Sequence, residues 1–500
     1  MAEATNPPPW RPAAVLGLFV ALFAVVALPL LWVNLPPLVD YPNHLARMHI
    51  LARWDQSAWL QRYYEINWRP LPNLAMDLIV PPLAWIMPLA AGGKVFLLAI
   101  FLLIAGGPMV LHRVLFGRWS VWPCLVFLLL YNRVFLWGFL NYLFGLGLAF
   151  WALAAWIWLR DRPGLRLPIS AIFSLALYSS HFLAFGLWAV MAAGFELGAR
   201  IQERRLLSLR GAGELLLQSL PFLPPLLIFG LMSDGGSGAE ISFGNPLRKF
   251  DLPFSLFDNY SRPFDVACFA GMVLLFIWIA WRGGLRIDRR MRWPLIFLLL
   301  TYLAMPSRLM TATGADHRIP LALALLFLGS TEPLLRDRGR KAFAWVVGCV
   351  FVARMAVIYG VWIGDDRGYA PLLAALDKIP EGACLAVAFP PSSIHADRMP
   401  VLHFPTLAIA RRDAFVPTLF AYPTQQPVAI KAGVRRVAEK TSPSILWSVF
   451  VTESGGKADA ALERFDYLVF VNRAPFQVMP SPLLEPVFQG EGMQLFRIVK

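Results

Sequence analysis

The sequence predicts a polytopic α-helical membrane protein with about eleven spans, two outer juxtamembrane helices after the first span, and a small C-terminal α/β domain. Three observations lead there. The 500-residue chain is 58% hydrophobic and 15% charged, with mean hydropathy +0.58; a soluble globular chain is about half apolar and a quarter charged. Basic clusters punctuate the apolar runs: Arg113 and Arg118; Arg160, Arg162 and Arg166; Arg200, Arg204, Arg205 and Arg210; Arg282, Arg286, Arg289, Arg290 and Arg292; Arg336, Arg338, Arg340 and Lys341. That placement is the positive-inside pattern, so the net charge of +14 marks a membrane partner and no nucleic acid. Third, after Gly364 the composition turns to Pro-rich turns and short apolar strands.

The first apolar run, Ala13 to Asn34, is too long and continuous for a signal-peptide core, and no small-residue cleavage site follows it. It reads as a retained span. Directly beyond it comes Asp40-Tyr41-Pro42-Asn43-His44-Leu45-Ala46-Arg47. Pro42 suits a first helical turn, where its missing N–H costs nothing, and Asn43 to Trp54 reads as a short amphipathic helix. Leu71 to Ala90 carries Asp77, Pro81, Pro82 and Pro88, which argue against a simple lipid-facing helix. It is expected as a second helix on the outer surface. Counting it as a span breaks the alternation of every later loop; the competing reading is a true span, an even total and a cytoplasmic C-terminal part.

The other spans are expected near 94–112, 119–135, 140–160, 166–180, 182–199, 213–232, 265–281, 292–306, 318–331 and 343–364. All basic clusters then face the cytoplasm, as does the N-terminus. The outer loops are 35–94, 131–142, a tight turn at Ser179-Ser180-His181, 233–264 beginning Asp234-Gly235-Gly236-Ser237-Gly238, and 306–318. Residues 1–364 form the membrane domain and 365–500 a periplasmic α/β domain. In that domain Cys384–Phe389, Phe465–Val471 and Met493–Val499 read as strands, and Pro371–Leu376 as the start of a helix. Four cysteines form neither a disulfide framework nor a zinc spacing, and no Gly-rich phosphate loop, nucleophile elbow or HExxH motif occurs.

Acidic and histidine residues gather on the outer side. Asp40, His44 and Arg47, spaced by four and three, fall near one helix face. A carboxylate, imidazole and guanidinium together can do acid–base work at the membrane surface; the plainer alternative makes Asp40 a helix cap and the other two interfacial polar residues. Asp77 is a second candidate carboxylate, or a partner for Arg69. His181 is a structural histidine or an anion contact, and Arg354, inside the last apolar run, is a snorkelling or paired arginine or a substrate contact. Trp137, Phe139 and Tyr142 suit an interfacial belt.

The first-loop segment Asp40-Tyr41-Pro42-Asn43-His44 resembles the Asp-x-Pro-x-His segment of bacterial GT-C class membrane glycosyltransferases. Gly138-Phe139-Leu140-Asn141-Tyr142 and His181 are similar to those relatives too. The resemblance implies a GT-C-like fold and, in the bacterial inner membrane, transfer of a sugar from a polyprenyl-phosphate-linked donor to a periplasmic or membrane-linked glycan, lipid or protein. Asp40 would be the general base of an inverting reaction, with His44 and Asp77 as further catalytic candidates. Arg47, Arg69, His181, Arg308, Asp316, His317 and Arg318 would bind substrate or phosphate, a role favoured at a helix N-terminus. A divalent metal (Mg or Mn) is a possible cofactor, yet tyrosine follows Asp40 where many members carry an acidic pair. The rival classes are a transporter or flippase of lipid-linked glycans, or a glycan polymerase or ligase. No duplicated pair of broken helices supports a transporter.

Overall fold

The computed structural model describes residues 10–203, 209–232, 240–282, 284–310, 312–335, 337–391, 400–440, 442–452, 462–472 and 474–500. Arg204, Arg205, Arg336 and the start of the fourth outer loop, Asp234 to Gly238, lie outside them.

Helix α1 (Pro12–Trp32) is uniformly apolar and buries only a narrow strip, leaving Leu16, Val20, Leu28 and Leu31 outward. That all-round apolarity suits lipid. The segment after α1 contains α2 (Tyr41–Arg53), α3 (Ala58–Tyr63), β1 (Tyr64–Ile66) and α4 (Ala75–Leu83). Helix α4 has nine residues, less than half of the roughly 20 needed to cross. The 71–90 stretch is therefore no span, although α3 makes α4 the third helix after α1, where the sequence reading had two. Ser57 caps α3, accepting from the Leu60 amide at 3.2 Å.

Helix α5 (Leu89–Phe116) begins behind Pro88 and ends at Gly117, whose φ of +69° closes the helix. The expected span at 119–135 is instead a buried 3₁₀ segment, Trp122–Leu129, then α6 (Arg133–Trp137). The Asn132 side chain breaks the run by accepting from the Phe135 amide at 3.1 Å. Next come α7 (Leu140–Trp158), α8 (Pro163–Ser180) and α9 (Phe182–Gln202). Helices α5 and α7 pack almost backbone to backbone: a Cβ on Gly147 would lie 2.6 Å from Leu103 Cβ and 2.8 Å from the Ile104 nitrogen. Small residues permit that approach in membrane bundles.

Helices α10 (Leu209–Ser219) and α11 (Leu223–Met232) lead to β2 (Glu240–Ser242), α12 (Arg248–Asp251), α13 (Arg262–Trp281), β3 (Leu285–Ile287), α14 (Arg292–Ala304), β4 (Arg308–Met310) and β5 (Ala312–Thr313). Then α15 (Ile319–Ser330), β6 (Thr331–Pro333) and α16 (Asp337–Leu376) complete the bundle. Among the described residues seven helical segments are long and apolar enough to cross a membrane. The other expected spans fall short: α14 and α15 have 13 and 12 residues, and α8 and the 119–135 run lack apolarity or continuity. Arg118 and Arg286 share Glu332, and Arg290 donates to the Leu115 carbonyl at 3.1 Å. Those basic loops therefore meet at the end of the bundle opposite α2. Arg354, buried in α16, donates to the Phe257 carbonyl at 3.0 Å and faces Asp265 at 3.4 Å; it is a paired arginine.

Helix α16 has 40 residues and runs unbroken through Gly364. Pro371–Leu376, expected to start a helix, are its last turns, because nothing between Gly364 and Tyr369 stops the ladder. Its exit is tied to the first outer loop, where Asn34 donates to both Asp366 oxygens at 2.7 and 3.0 Å. The C-terminal module follows with β7 (Leu385–Ala388), α17 (Leu407–Arg412), β8 (Val428–Ile430), α18 (Ala432–Lys440), α19 (Pro443–Val451), β9 (Tyr467–Val471), β10 (Leu484–Gly490) and β11 (Met493–Ile498). Its sheet has order β10-β11-β9-β7, with β7 parallel to β9. Strand β8 leaves that sheet to pair antiparallel with β1, Tyr64 opposite Ile430. The module is thus stitched to the segment between α1 and α5.

Candidate active site

Asp40 occupies the N-cap position of α2, but its carboxylate makes no capping bond. Its backbone is held instead by the turn after α6: Val39 N donates to Leu136 O and Asp40 N to Trp137 O, both at 3.0 Å. Gly138 makes that turn possible, with a φ of +95° that L side chains rarely adopt. A Cβ there would sit 2.9 Å from Asp40 Cβ. Gly138→Ala is therefore expected to displace Asp40 and lower any Asp40-dependent activity by more than about tenfold, with a stability loss of about 1–3 kcal/mol. Thermal melts beside activity assays check this.

One turn on, His44 Nε2 lies 3.0 Å from the Gly138 carbonyl and Nδ1 3.3 Å from Arg47 Nη2. A guanidinium only donates, so Nδ1 accepts and Nε2 carries the hydrogen bonded to Gly138. His44 is thereby a neutral clamp on the turn that holds Asp40. Burial and Arg47 press its pKa down to about 3, against the bond to Gly138. Arg47 in turn grips Asp77 with two bonds, Nε–Oδ1 at 2.6 Å and Nη2–Oδ2 at 3.0 Å, both side chains fully buried. Asp77 thus points both oxygens at Arg47, not Arg69.

From the other side comes Arg318, at the turn before α15. Its guanidinium lies over Phe139, 4.3 Å from the ring centre. The Tyr142 hydroxyl fixes its backbone, donating to Arg318 O at 2.6 Å. Nη2 donates to the Thr313 carbonyl at 3.3 Å, while Nε is buried with no partner. Nη1 sits 3.5 Å from His181 Nε2. His181 Nδ1 accepts from the Leu183 amide at 3.1 Å, so Nε2 carries the hydrogen. Two donors therefore face each other with no acceptor between them, an arrangement that an anionic oxygen would satisfy. Burial holds the Arg318 pKa at about 10 and that of His181 well below its usual value; Arg318 remains a cation.

Asp40 feels all of this. Burial pushes its carboxyl up to about 7, and the Arg318 and Arg47 charges pull it back. A carboxyl titrating there suits a general base at neutral pH. The C-terminal module adds what sequence reasoning missed: His403 Nε2 lies 3.5 Å from Asp40 Oδ1. His403 is one of two histidines after Gly364, and nothing in its local sequence marks it out.

The remaining expected residues lie apart. Asp316 pairs with Lys249 at 3.0 Å. His317 is 3.1 Å from Arg248 Nη2 and packs at a tilt against Trp137, 5.0 Å between ring centres. Arg308 is exposed on β4, and Arg69 is exposed after β1. As for a metal, no cluster of three or more His, Cys, Asp or Glu side chains converges among the described residues. Asp77 faces a guanidinium, and His44 and His403 offer no free lone pair, which leaves Asp40. This donor set does not fit a protein-held divalent ion.

At the level of fold, the bundle and module are similar to two solved structures. A crystal structure of ArnT from Cupriavidus metallidurans bound to undecaprenyl phosphate matches with a TM-score of 0.54, at 12% identity, over 98% of this chain and 99% of that one. ArnT in the apo state matches with a TM-score of 0.53, also at 12% identity, over 97% and 98%. No protein-family model and no curated protein sequence matches the chain.

Proposed function

We propose that the chain is an inverting glycosyltransferase of the bacterial inner membrane. It takes a sugar from a polyprenyl-phosphate-linked donor and gives it to a glycan, lipid or protein acceptor on the periplasmic side. The observation that carries this reading is the pairing of a base with an anion-ready gap: Asp40, titrating near 7, beside the unmet donors of Arg318 and His181. A phosphate oxygen in that gap satisfies both donors. The ArnT structure with undecaprenyl phosphate supports a carrier of that chemistry.

In the proposed step the acceptor hydroxyl attacks the anomeric carbon as its proton passes to Asp40. The bond from that carbon to the phosphate oxygen breaks, and its electron pair leaves on the phosphate. The charge that grows there is met by Arg318. One displacement with one base inverts the anomeric centre. The basic loops at the opposite end of the bundle support an outward-facing site.

Purified protein incubated with a panel of polyprenyl-phosphate sugars tests the reading. Arg318→Gln is expected to raise the donor KM at least about tenfold, as loss of a charge-assisted contact does. Transfer with an unchanged donor KM in Arg318→Gln, or no transfer from any donor in the panel, counts against it.

A further inference from the structure

The C-terminal module reaches Asp40 through hydrogen bonds at Asn43 and one longer contact from His403, and the polarity can be read link by link. Asn43, fully buried in the first turn of α2, accepts from the Phe420 amide at Oδ1 (2.7 Å) and donates from Nδ2 to the Thr418 carbonyl (3.0 Å). A backbone N–H only donates and a carbonyl only accepts, so the amide has one orientation. The same Nδ2 lies 3.3 Å from His403 Nδ1. That nitrogen must therefore be the acceptor, and the ring hydrogen sits on Nε2, 3.5 Å from Asp40 Oδ1. The Phe420 ring packs edge-on against the imidazole, 4.8 Å between centres. Burial keeps His403 neutral, its pKa near 4.

We infer that His403 is a positioning residue for Asp40: Asn43 locks its tautomer so that Nε2–H addresses Oδ1 and leaves Oδ2 as the basic oxygen. The inference rests on the proposed reaction and deepens it, for it decides which of two neighbouring groups is the base. A histidine that acts as base needs a free lone pair facing the substrate. His403 has its lone pair buried against Asn43 and its hydrogen on the nitrogen nearer the carboxylate, so the proton goes to Asp40. The gap of 3.5 Å is longer than a good hydrogen bond; such contacts tighten when substrate closes the site. An N–H aimed at a carboxylate favours its charged form and keeps a desolvated base usable near neutral pH. The other groups facing Asp40 are Arg47 and His44 on α2 and Arg318 before α15, with His181 behind it. Of these Arg47 and Arg318 are guanidinium cations, and burial presses both imidazoles toward the neutral form.

The titration of Asp40 can be followed without any substrate. A hydrophobic carbodiimide reacts with buried protonated carboxyls, and peptide mass spectrometry reports labelling at Asp40 over pH 5–9 in the full-length protein in detergent. His403→Ala is expected to move the labelling midpoint up by about one pH unit, and His403→Gln, which keeps an N–H at a similar place, by less than half of that. In transfer assays the acid limb of kcat should move by the same amounts, with the donor KM little changed. An unmoved midpoint in a folded His403→Ala protein, or a Gln variant that shifts as far as Ala, overturns the inference. Because labelling needs no donor, absence of sugar transfer would sink the proposed reaction while leaving the His403–Asp40 link to be judged by its own result.

Discussion

Asp40→Asn is expected to cut sugar transfer by about 10²–10⁴-fold, the usual contribution of a general base, with the protein still folded. Wild-type activity should climb with pH through about 7, because Asp40 must be ionised to accept the proton and burial has raised its pKa to about 7. The same shift acts on stability with the opposite sense. A carboxyl with a folded pKa above its unfolded value of about 3.9 binds a proton more tightly in the folded state. That contribution is complete below the unfolded value and is lost as pH rises through about 7. Above that pH the native protein carries the cost of a desolvated charge. Asp40→Asn removes it and should melt higher than wild type at pH 8, by a margin that shrinks as pH falls and closes below about 3.9. An inactive variant that is also destabilised at pH 8 would point to a structural Asp40.

The largest stability effect is expected from Asp77→Ala. The Arg47–Asp77 pair is bidentate and fully buried, and Arg47 Nη1 already lacks a partner. Removing one member of such a pair typically costs about 3–5 kcal/mol, since the other is left as an uncompensated buried charge. A double change, Arg47→Leu with Asp77→Leu, should recover much of that loss, because two apolar side chains leave no charge behind. Arg47 also sets the His44 tautomer, so the double variant should be stable but catalytically impaired. Melting curves for Arg47→Leu, Asp77→Leu and the double form a thermodynamic cycle. Purely additive losses would show that the pair is not coupled, and an Asp77→Ala protein as stable as wild type would remove it as an anchor.

Much of this arrangement can be read in the chain because it is local. Asp40, His44 and Arg47 share a face by helical spacing, Pro42 marks the first turn of α2, and the prolines of Leu71–Ala90 announce a helix too broken to cross. Three of the module's strands stand where their apolar runs put them. What escapes is set by tertiary partners. Asp77 meets Arg47 instead of the nearer Arg69 because α4 packs along α2. The apolar run at 119–135 is expected as one continuous helix, yet Asn132 breaks it and burial on all sides makes it a core segment of the bundle. Helices α14 and α15 are apolar but short, which hydropathy alone does not reveal. His403 joins Asp40 only because Asn43 fastens the module's Thr418–Phe420 turn to α2. Gly138 earns its place through a contact with Asp40 that no spacing rule contains.

The unbroken course of α16 has a mechanical corollary. An α-helix turns about 100° and rises about 1.5 Å per residue, so a rod of 40 residues gears the outer module to the bundle in angular phase as well as in height. Adding or deleting one residue beyond Trp362 would swivel the imidazole of His403 away from its carboxylate. Drift in the length of this rod is therefore confined to near-whole turns, and a graft of the module onto another bundle must match its azimuth before its sequence.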